Sequence, residues 1–267
     1  MKRFLFLSGL ASSICVGIQI FQLGNIYLIF CIAAYLSIIS IGVCNLRSNI
    51  FIDCQPHRKL SGKIVLTIDD GPDINFTLPL LNLLRKYKLT ATFFLIGKEA
   101  EKYPELVRKI DQEGHTIGSH GYSHSPWSNF YLCSQWEKEF HKTEKILGPY
   151  WKKKWFRPPF ALASPHLAHA IKKCQYDIIS FHVRALDFGN RRIHSLSDRL
   201  SKKISQGGVV MIHGAIPPAT TESQKEKILD EFENFFQKIS RCEVCTLEDY
   251  INEDNQKPQP KWWFKIF

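Results

Sequence analysis

The hydrophobic pattern divides the chain into one long apolar stretch and a region in which short apolar runs alternate with amphipathic ones. The apolar stretch, Phe4 to Leu46, holds 43 residues without Asp, Glu, Lys, Arg or His. One membrane crossing takes about 20 residues, so the stretch is long enough for two, and Gly24-Asn25 near its middle suits a tight turn. We predict a transmembrane helical hairpin, roughly 4–23 and 26–43. The alternative is a signal peptide followed by one anchor.

From Lys63 onward, short apolar runs and amphipathic runs alternate. The apolar runs predict strands at 63–68, 91–96, 115–118, 154–157, 176–182, 207–212 and 242–245. The amphipathic runs predict helices near 77–88, 104–113, 132–147, 164–174, 195–205 and 222–239. Ser164 is placed to cap one of these helices, and Pro165 suits its first turn. Strands separated by helices pair in parallel, which predicts an α/β barrel or an open sheet.

These patterns divide the chain into four segments. They are a membrane anchor at 1–46, a polar linker at 47–62, an α/β domain at 63–250 and a basic-aromatic tail at 251–267. In the tail, Trp262, Trp263, Phe264 and Phe267 alternate with lysines, a composition typical of a membrane interface. A tail that packs on the domain or stays disordered is the alternative.

The net charge of +10 and the pI near 9.2 suit an anionic membrane face, a nucleic acid or an acidic substrate. We find no nucleic-acid-binding module, so we expect no nucleic-acid partner. Basic residues flank both ends of the apolar stretch and none lies at its turn, which predicts that both ends and the following domain are cytoplasmic. The eight cysteines are scattered, with no disulfide framework, and this favours a reducing compartment.

Two adjacent carboxylates, Asp69 and Asp70, follow the first predicted strand of the domain. Their like charges repel unless a cation or a proton sits between them, and neighbouring side chains of an extended chain point to opposite sides. One of the two carboxylates can therefore ligate a metal while the other carboxylate faces a different partner. His120 and His124 follow a later strand and would complete a two-His, one-carboxylate ligand set. An Asp-Gly turn and two surface histidines are the alternative.

Further candidate groups also follow predicted strands. In Arg157-Pro-Pro-Phe160, the prolines fix the backbone, so the N–H of Phe160 could face a ligand oxygen. Asp187 could pair with Arg157. His213 ends a buried strand, where a histidine is often only structural. All these groups, however, follow predicted strands. In an α/β barrel, active sites lie at the carboxyl ends of the strands.

Five of these short segments, in this order, resemble the motifs of the polysaccharide deacetylases (NodB homology domain, carbohydrate esterase family 4). They are Thr67-Ile-Asp-Asp-Gly71, His120-x-x-x-His124, Arg157-Pro-Pro-Phe160, Asp187-Phe188 and Met211-Ile-His213. The resemblance covers about 63–250. It implies a distorted (β/α)7-type barrel that removes acyl groups from sugars.

The resemblance also implies which residues bind the metal and transfer protons. Asp70, His120 and His124 would hold one divalent metal ion, usually zinc. Asp69 would be the base that takes a proton from water, and His213 would be the acid that protonates the leaving amine. Two separate groups would then handle the two proton transfers.

Other roles follow from the same resemblance. The Phe160 N–H would stabilise the oxyanion, Arg157 would orient Asp69, and Asp187 would hold Arg157. Met211 would line the acetyl pocket, and Phe188 stands at the substrate rim where Trp is usual. The substrate rim therefore departs from the family pattern, although the catalytic set is complete.

The expected function is removal of an N-acyl group, in the first instance N-acetyl, from an amino sugar in a membrane-proximal and lipid-linked glycan. The expected partners are this N-acylated glycan or glycolipid and membrane lipid. An outward-facing deacetylase of cell-wall polysaccharide or peptidoglycan, acting on N- or O-acetyl groups, is the first alternative. A non-catalytic sugar-binding or scaffold protein on the same fold is the second.

Overall fold

The structure is a computed structural model that describes residues 2–21, 24–56 and 62–256, and it begins with two long apolar helices. They are α1 (Lys2–Ile20) and α2 (Asn25–Cys44). Their mean hydropathies are 1.5 and 2.4, and each is only 6% buried, so neither is a core helix of the domain that follows. Both are long and apolar enough to cross a membrane. A signal sequence near the N-terminus meets the same criterion.

A parallel sheet of nine strands forms the centre of the described domain. The strands are β1 (Cys54–Gln55), β2 (Lys63–Asp69), β3 (Thr92–Leu95), β4 (Thr116–Ser119), β5 (Trp155–Phe156), β6 (Asp177–Ile179), β7 (Val183–Arg184), β8 (Gly208–His213) and β9 (Glu243–Val244). Their order is β1-β6-β5-β4-β3-β2-β8-β7, and β9 also pairs with β2. Because the pairings are parallel, the strands' carboxyl ends share one edge.

Helices connect the strands and cover the sheet. They are α3 (Thr77–Lys86), α4 (Gly97–Lys102), α5 (Pro104–Gln112), α6 (Cys133–Leu147), α7 (Pro165–Cys174), α8 (Leu196–Ile204), α9 (Glu222–Ile239) and α10 (Leu247–Gln256). The hydroxyl of Ser164 accepts a hydrogen bond from the Leu167 N–H at 3.2 Å, which confirms the predicted cap of α7. Apolar side chains of β2, β3 and β8 pack against α3 and α9 in the largest core cluster.

The parallel sheet is curled, and the chain bends within the segment that the sequence predicts as one strand. The strands on the two sides of this bend pair with different partners. The sequence predicts one strand at 176–182, but the structure has β6 beside β5 and β1, then a bend, then β7 beside β8. The bend at 180–182 therefore joins two strands at opposite parts of the sheet order. This curled parallel sheet with helices outside it confirms the predicted α/β fold of the distorted-barrel type.

Two segment boundaries differ from the sequence prediction. The predicted linker contains β1, and just before β1 the side chains of Phe51 and Ile52 are 2% and 6% exposed. Burial of these two apolar residues draws the segment onto the domain. The predicted tail begins inside α10, where Ile251 is buried. The rest of the tail, 257–267, including its aromatic residues, lies outside the described residues.

Candidate active site

Three predicted metal ligands converge at the carboxyl edge of the sheet. Asp70 directly follows β2, whereas His120 and His124 lie in the turn after β4. The Asp70 Oδ1 atom lies 3.6 Å from Nε2 of His120 and 3.4 Å from Nε2 of His124. One ligand atom from each residue lies within 4.8 Å of the others, an arrangement that could hold a metal ion.

The chemistry of these three side chains fits a cation. Nδ1 of His120 is hydrogen-bonded to the backbone oxygen of Arg157 at 2.7 Å, so Nδ1 carries the proton and Nε2 presents a lone pair. Burial, together with nearby His124, lowers the pKa of His120 to about 3, which keeps the ring neutral. The Asp70 Oδ1 atom is buried and has no hydrogen-bond partner among the described residues. A buried carboxylate oxygen without a donor is satisfied by a cation.

The turn that carries the two histidines is held by a side chain from α6. The carboxylate of Glu139 accepts hydrogen bonds from the N–H groups of Tyr122 and Ser123, at 3.0 and 2.8 Å. Gly121 has φ +85°, a conformation that glycine adopts without a steric penalty. The turn therefore brings both rings to one point, with their centroids 4.9 Å apart.

Asp69, the predicted base, is buried at the end of β2 beside Arg157. The guanidinium donates from Nη1 to Oδ1 of Asp69 at 2.6 Å, and the two side chains are 0% and 5% exposed. Burial raises the pKa of Asp69, and the positive charge of Arg157 acts against this rise. The structure therefore places Arg157 where it can orient Asp69.

Arg157 also forms hydrogen bonds to the bend between β6 and β7. Its Nε and Nη2 atoms donate to the carbonyl oxygens of Ile179 and Ser180, each at 3.1 Å. Its Nη1 also donates to the hydroxyl of Thr67 at 2.7 Å. No role for Thr67 was predicted from the sequence, although Thr67 belongs to the same motif as Asp69. The guanidinium lies 4.2 Å from the ring centre of Phe94.

Asp187 binds His213, so the predicted pairing of Asp187 with Arg157 is wrong. Oδ1 of Asp187 is 2.6 Å from Nδ1 of His213, and the other oxygen of Asp187 has no hydrogen-bond partner among the described residues. The Arg157 guanidinium donates instead to Asp69 and to the carbonyl oxygens of Ile179 and Ser180. Sequence spacing could not distinguish the two basic partners.

The electrostatics of His213 suit a proton donor. Burial alone would lower the pKa of His213, but the hydrogen bond and charge of Asp187, with Asp70 and Asp69 nearby, raise it to about 9. In the parallel pairing of β2 with β8, Asp69 stands directly opposite His213. The candidate base and acid therefore lie on adjacent strands at the same level of the sheet.

Nine of the ten predicted site residues line one cavity of about 420 Å³, and the tenth, Arg157, is fully buried and does not line it. Its floor holds Asp69, Asp70 and the histidines, and Met211 forms part of the wall. Phe160 and Phe188 stand at its mouth with 50% and 63% of their side chains exposed. The sequence analysis missed several further lining residues, which sit in loops without periodic pattern. They are Ala161, Leu186, Gly189 and Arg191, and Arg184 at the end of β7 lines the cavity too.

Comparisons with known proteins agree with this geometry. The polysaccharide deacetylase family model matches residues 57–179. One peptidoglycan-N-acetylglucosamine deacetylase of Bacillus cereus is 33% identical over 177 residues, covering 63% of this chain and 80% of that protein. A second from the same organism is 31% identical over 160 residues, covering 59% of this chain and 57% of that protein.

A solved structure of a peptidoglycan N-acetylglucosamine deacetylase, in complex with an N-oxidanyl-benzamide, superposes with a TM-score of 0.61 at 26% identity. The match covers 72% of this chain and 89% of that one. The resemblance to this family is thus supported by sequence and by three-dimensional structure. The chain belongs to the polysaccharide deacetylase family, and its deacetylase homologues are hydrolases that act on the C–N bonds of N-acetyl groups.

Proposed function

We propose that this protein is a metal-dependent hydrolase that removes an N-acyl group, in the first instance N-acetyl, from an amino sugar. One observation carries the proposal. The three convergent ligands and two separately held proton-transfer groups, Asp69 with Arg157 and His213 with Asp187, meet in one cavity. A sugar-binding or scaffold protein on this fold would need neither pair, which speaks against the non-catalytic alternative.

Asp70, His120 and His124 would hold one divalent ion. A ligand set of two imidazoles and one carboxylate with open positions suits zinc, although other first-row metals accept it. When bound, the ion supplies positive charge that lowers the pKa of water and stabilises negative charge on the acyl oxygen.

The first proton transfer falls to Asp69. Its carboxylate takes a proton from the water that attacks the acyl carbon, and Arg157 holds the carboxylate in position. The Phe160 N–H is proposed to donate to the oxyanion of the tetrahedral intermediate. Met211, in the cavity wall, would contact the acyl methyl group.

The second proton transfer falls to His213. In its protonated form it gives a proton to the sugar nitrogen as the C–N bond breaks, so the products are a carboxylic acid and a free amine. Asp187 stabilises the positive charge of the ring and fixes its orientation. Loss of that proton leaves His213 neutral until it is reprotonated from water.

We further propose that the glycan is membrane-proximal and lipid-linked, and that the protein spans the membrane twice with its domain in the cytoplasm. The two apolar helices and the basic residues at both ends of the pair support this arrangement. A second candidate function is deacetylation of peptidoglycan outside the membrane. The similarity to the two peptidoglycan-N-acetylglucosamine deacetylases of Bacillus cereus favours it.

The test uses the full chain purified in detergent and an N-acetylglucosamine oligomer. We expect mass spectrometry to show loss of acetyl groups, with acetate as the co-product. A chelator should stop the reaction and added zinc should restore it. Unchanged oligomer at every metal concentration, with a reference deacetylase active in the same buffer, would contradict the proposal.

A further inference from the structure

Large apolar side chains are exposed on the active-site edge of the sheet, where a water-soluble domain would bury them or use polar residues. They belong to loops that follow β4, β5 and β7. Exposed fractions range from 38% to 76%. We call this set the rim surface: Trp127, Phe130, Leu132, Phe160, Leu186 and Phe188. Clustered exposed apolar residues of this kind mark a surface that another phase or partner covers.

A sugar in the active-site cavity would leave half of the rim surface uncovered. Trp127, Phe130 and Leu132 do not line the cavity, and they are 70%, 76% and 56% exposed. The rings of Trp127 and Phe130 lie side by side, with their centroids 6.2 Å apart. These three side chains would therefore stay exposed when a substrate fills the cavity, and only another surface could cover them.

The apolar helix pair is attached to the same edge of the domain. The N–H of Ala163 donates to the carbonyl oxygen of Val43, in the last turn of α2, at 3.0 Å. Ala163 lies two residues beyond Ala161, which lines the cavity. The end of α2 thus stands within a few residues of the active-site mouth.

A second contact fixes the start of α1 at this junction. The ring of Phe4 lies 5.1 Å from the ring of Phe51, which is 2% exposed. A Cβ added to Gly42 of α2 would lie 2.7 Å from the Phe51 ring, so α2 approaches the same side chain closely. Helix α1 therefore begins at the domain and α2 ends there. The rest of each helix exposes apolar side chains.

We propose that the rim surface rests on the lipid bilayer, so that the active-site cavity opens at the level of the headgroups. Aromatic side chains prefer this interfacial layer. Exposed Arg184 and Arg191 at the cavity mouth would meet lipid phosphates. The consequence for the substrate rests on the proposed function: the acylated sugar lies in the headgroup layer, and its carrier is a membrane-embedded lipid.

The test is photocrosslinking of the full chain in vesicles of phosphatidylethanolamine and phosphatidylglycerol. A photoreactive p-benzoylphenylalanine replaces Phe130, a conservative aromatic exchange outside the cavity. The matched control replaces Thr90, which is exposed just before β3 and so lies at the opposite edge of the sheet. Phe30 of α2, 67% exposed, is the reference position for insertion. Adducts are identified by intact mass.

We expect lipid adducts at Phe30 and at Phe130 and only background at Thr90. Adducts at Phe30 with no more than background at Phe130 would overturn the proposal, as would absence of adducts at Phe30. Acetate release from a soluble N-acetylglucosamine oligomer is measured on the same samples. Release without a Phe130 adduct refutes the docking alone, whereas an adduct without release refutes the proposed function alone.

Discussion

At the residue scale, the proposed mechanism depends on two ionic pairs that divide the proton transfers. Asp69 is held by Arg157, and replacement by Asn keeps the shape and hydrogen bonding but removes the charge. We expect Asp69→Asn to retain metal and to lower kcat by about a hundred-fold or more, the usual scale for a positioned proton-transfer group. Asp198→Asn, at an exposed surface ion pair, is the control. A near-normal kcat in Asp69→Asn would exclude Asp69 as the base.

The second pair sets the pH range of activity. In the proposed mechanism His213 acts in its protonated form, so activity should hold below its pKa of about 9 and fall as the pH rises through that value. In Asp187→Asn the negative charge that raises this pKa is lost, and the alkaline limb of the kcat/KM profile should move to lower pH. The measurement is the profile of both proteins from neutral to alkaline pH. An unchanged limb would show that Asp187 does not tune His213.

At the element scale, the sequence predicted most strands and helices of the domain but missed β1, β7, α4 and α10. The strands β2, β3 and β8 were predicted because each holds a run of apolar residues. β1 has only two residues, and tertiary burial of the preceding Phe51 and Ile52 decides its place. The motif residues could be predicted because each follows a strand, whereas the partner of Asp187 depended on a bend that no local pattern encodes.

The close contact between β3, β4 and β5 gives a prediction about stability. A Cβ on Gly118 of β4 would lie 2.8 Å from the buried ring of Phe94 and 3.2 Å from the Trp155 carbonyl oxygen. That ring cannot move freely because the Arg157 guanidinium lies against it. We expect Gly118→Ala to lower the free energy of unfolding by about 1–3 kcal/mol.

Urea unfolding followed by near-UV circular dichroism would measure this change. Gly148→Ala is the matched control, because Gly148 has φ −51° and the nearest atom to an added Cβ is Glu144 Cγ at 3.6 Å. It should leave stability unchanged or raise it slightly. Equal stabilities of the two variants would contradict the packing argument at Gly118.

At the scale of the whole molecule, we propose that a pair of membrane-spanning helices carries the hydrolase domain. The prediction of a cytoplasmic domain is tested with single cysteines that replace Thr90 or Asn255, two exposed residues. The native cysteines are replaced in both variants. A membrane-impermeant thiol reagent should label neither in intact cells and both after lysis. Strong labelling of both in intact cells would place the domain outside and favour the peptidoglycan alternative.

The most direct test of the central claim is metal content and acetate release measured on the same purified samples of three proteins. These are the native protein, His120→Ala and His169→Ala; His169 is an exposed histidine of α7 that lies away from the cavity. We predict one divalent ion per chain and acetate release in the native protein and in His169→Ala, and loss of both in His120→Ala. Full metal content and activity in His120→Ala would contradict the account.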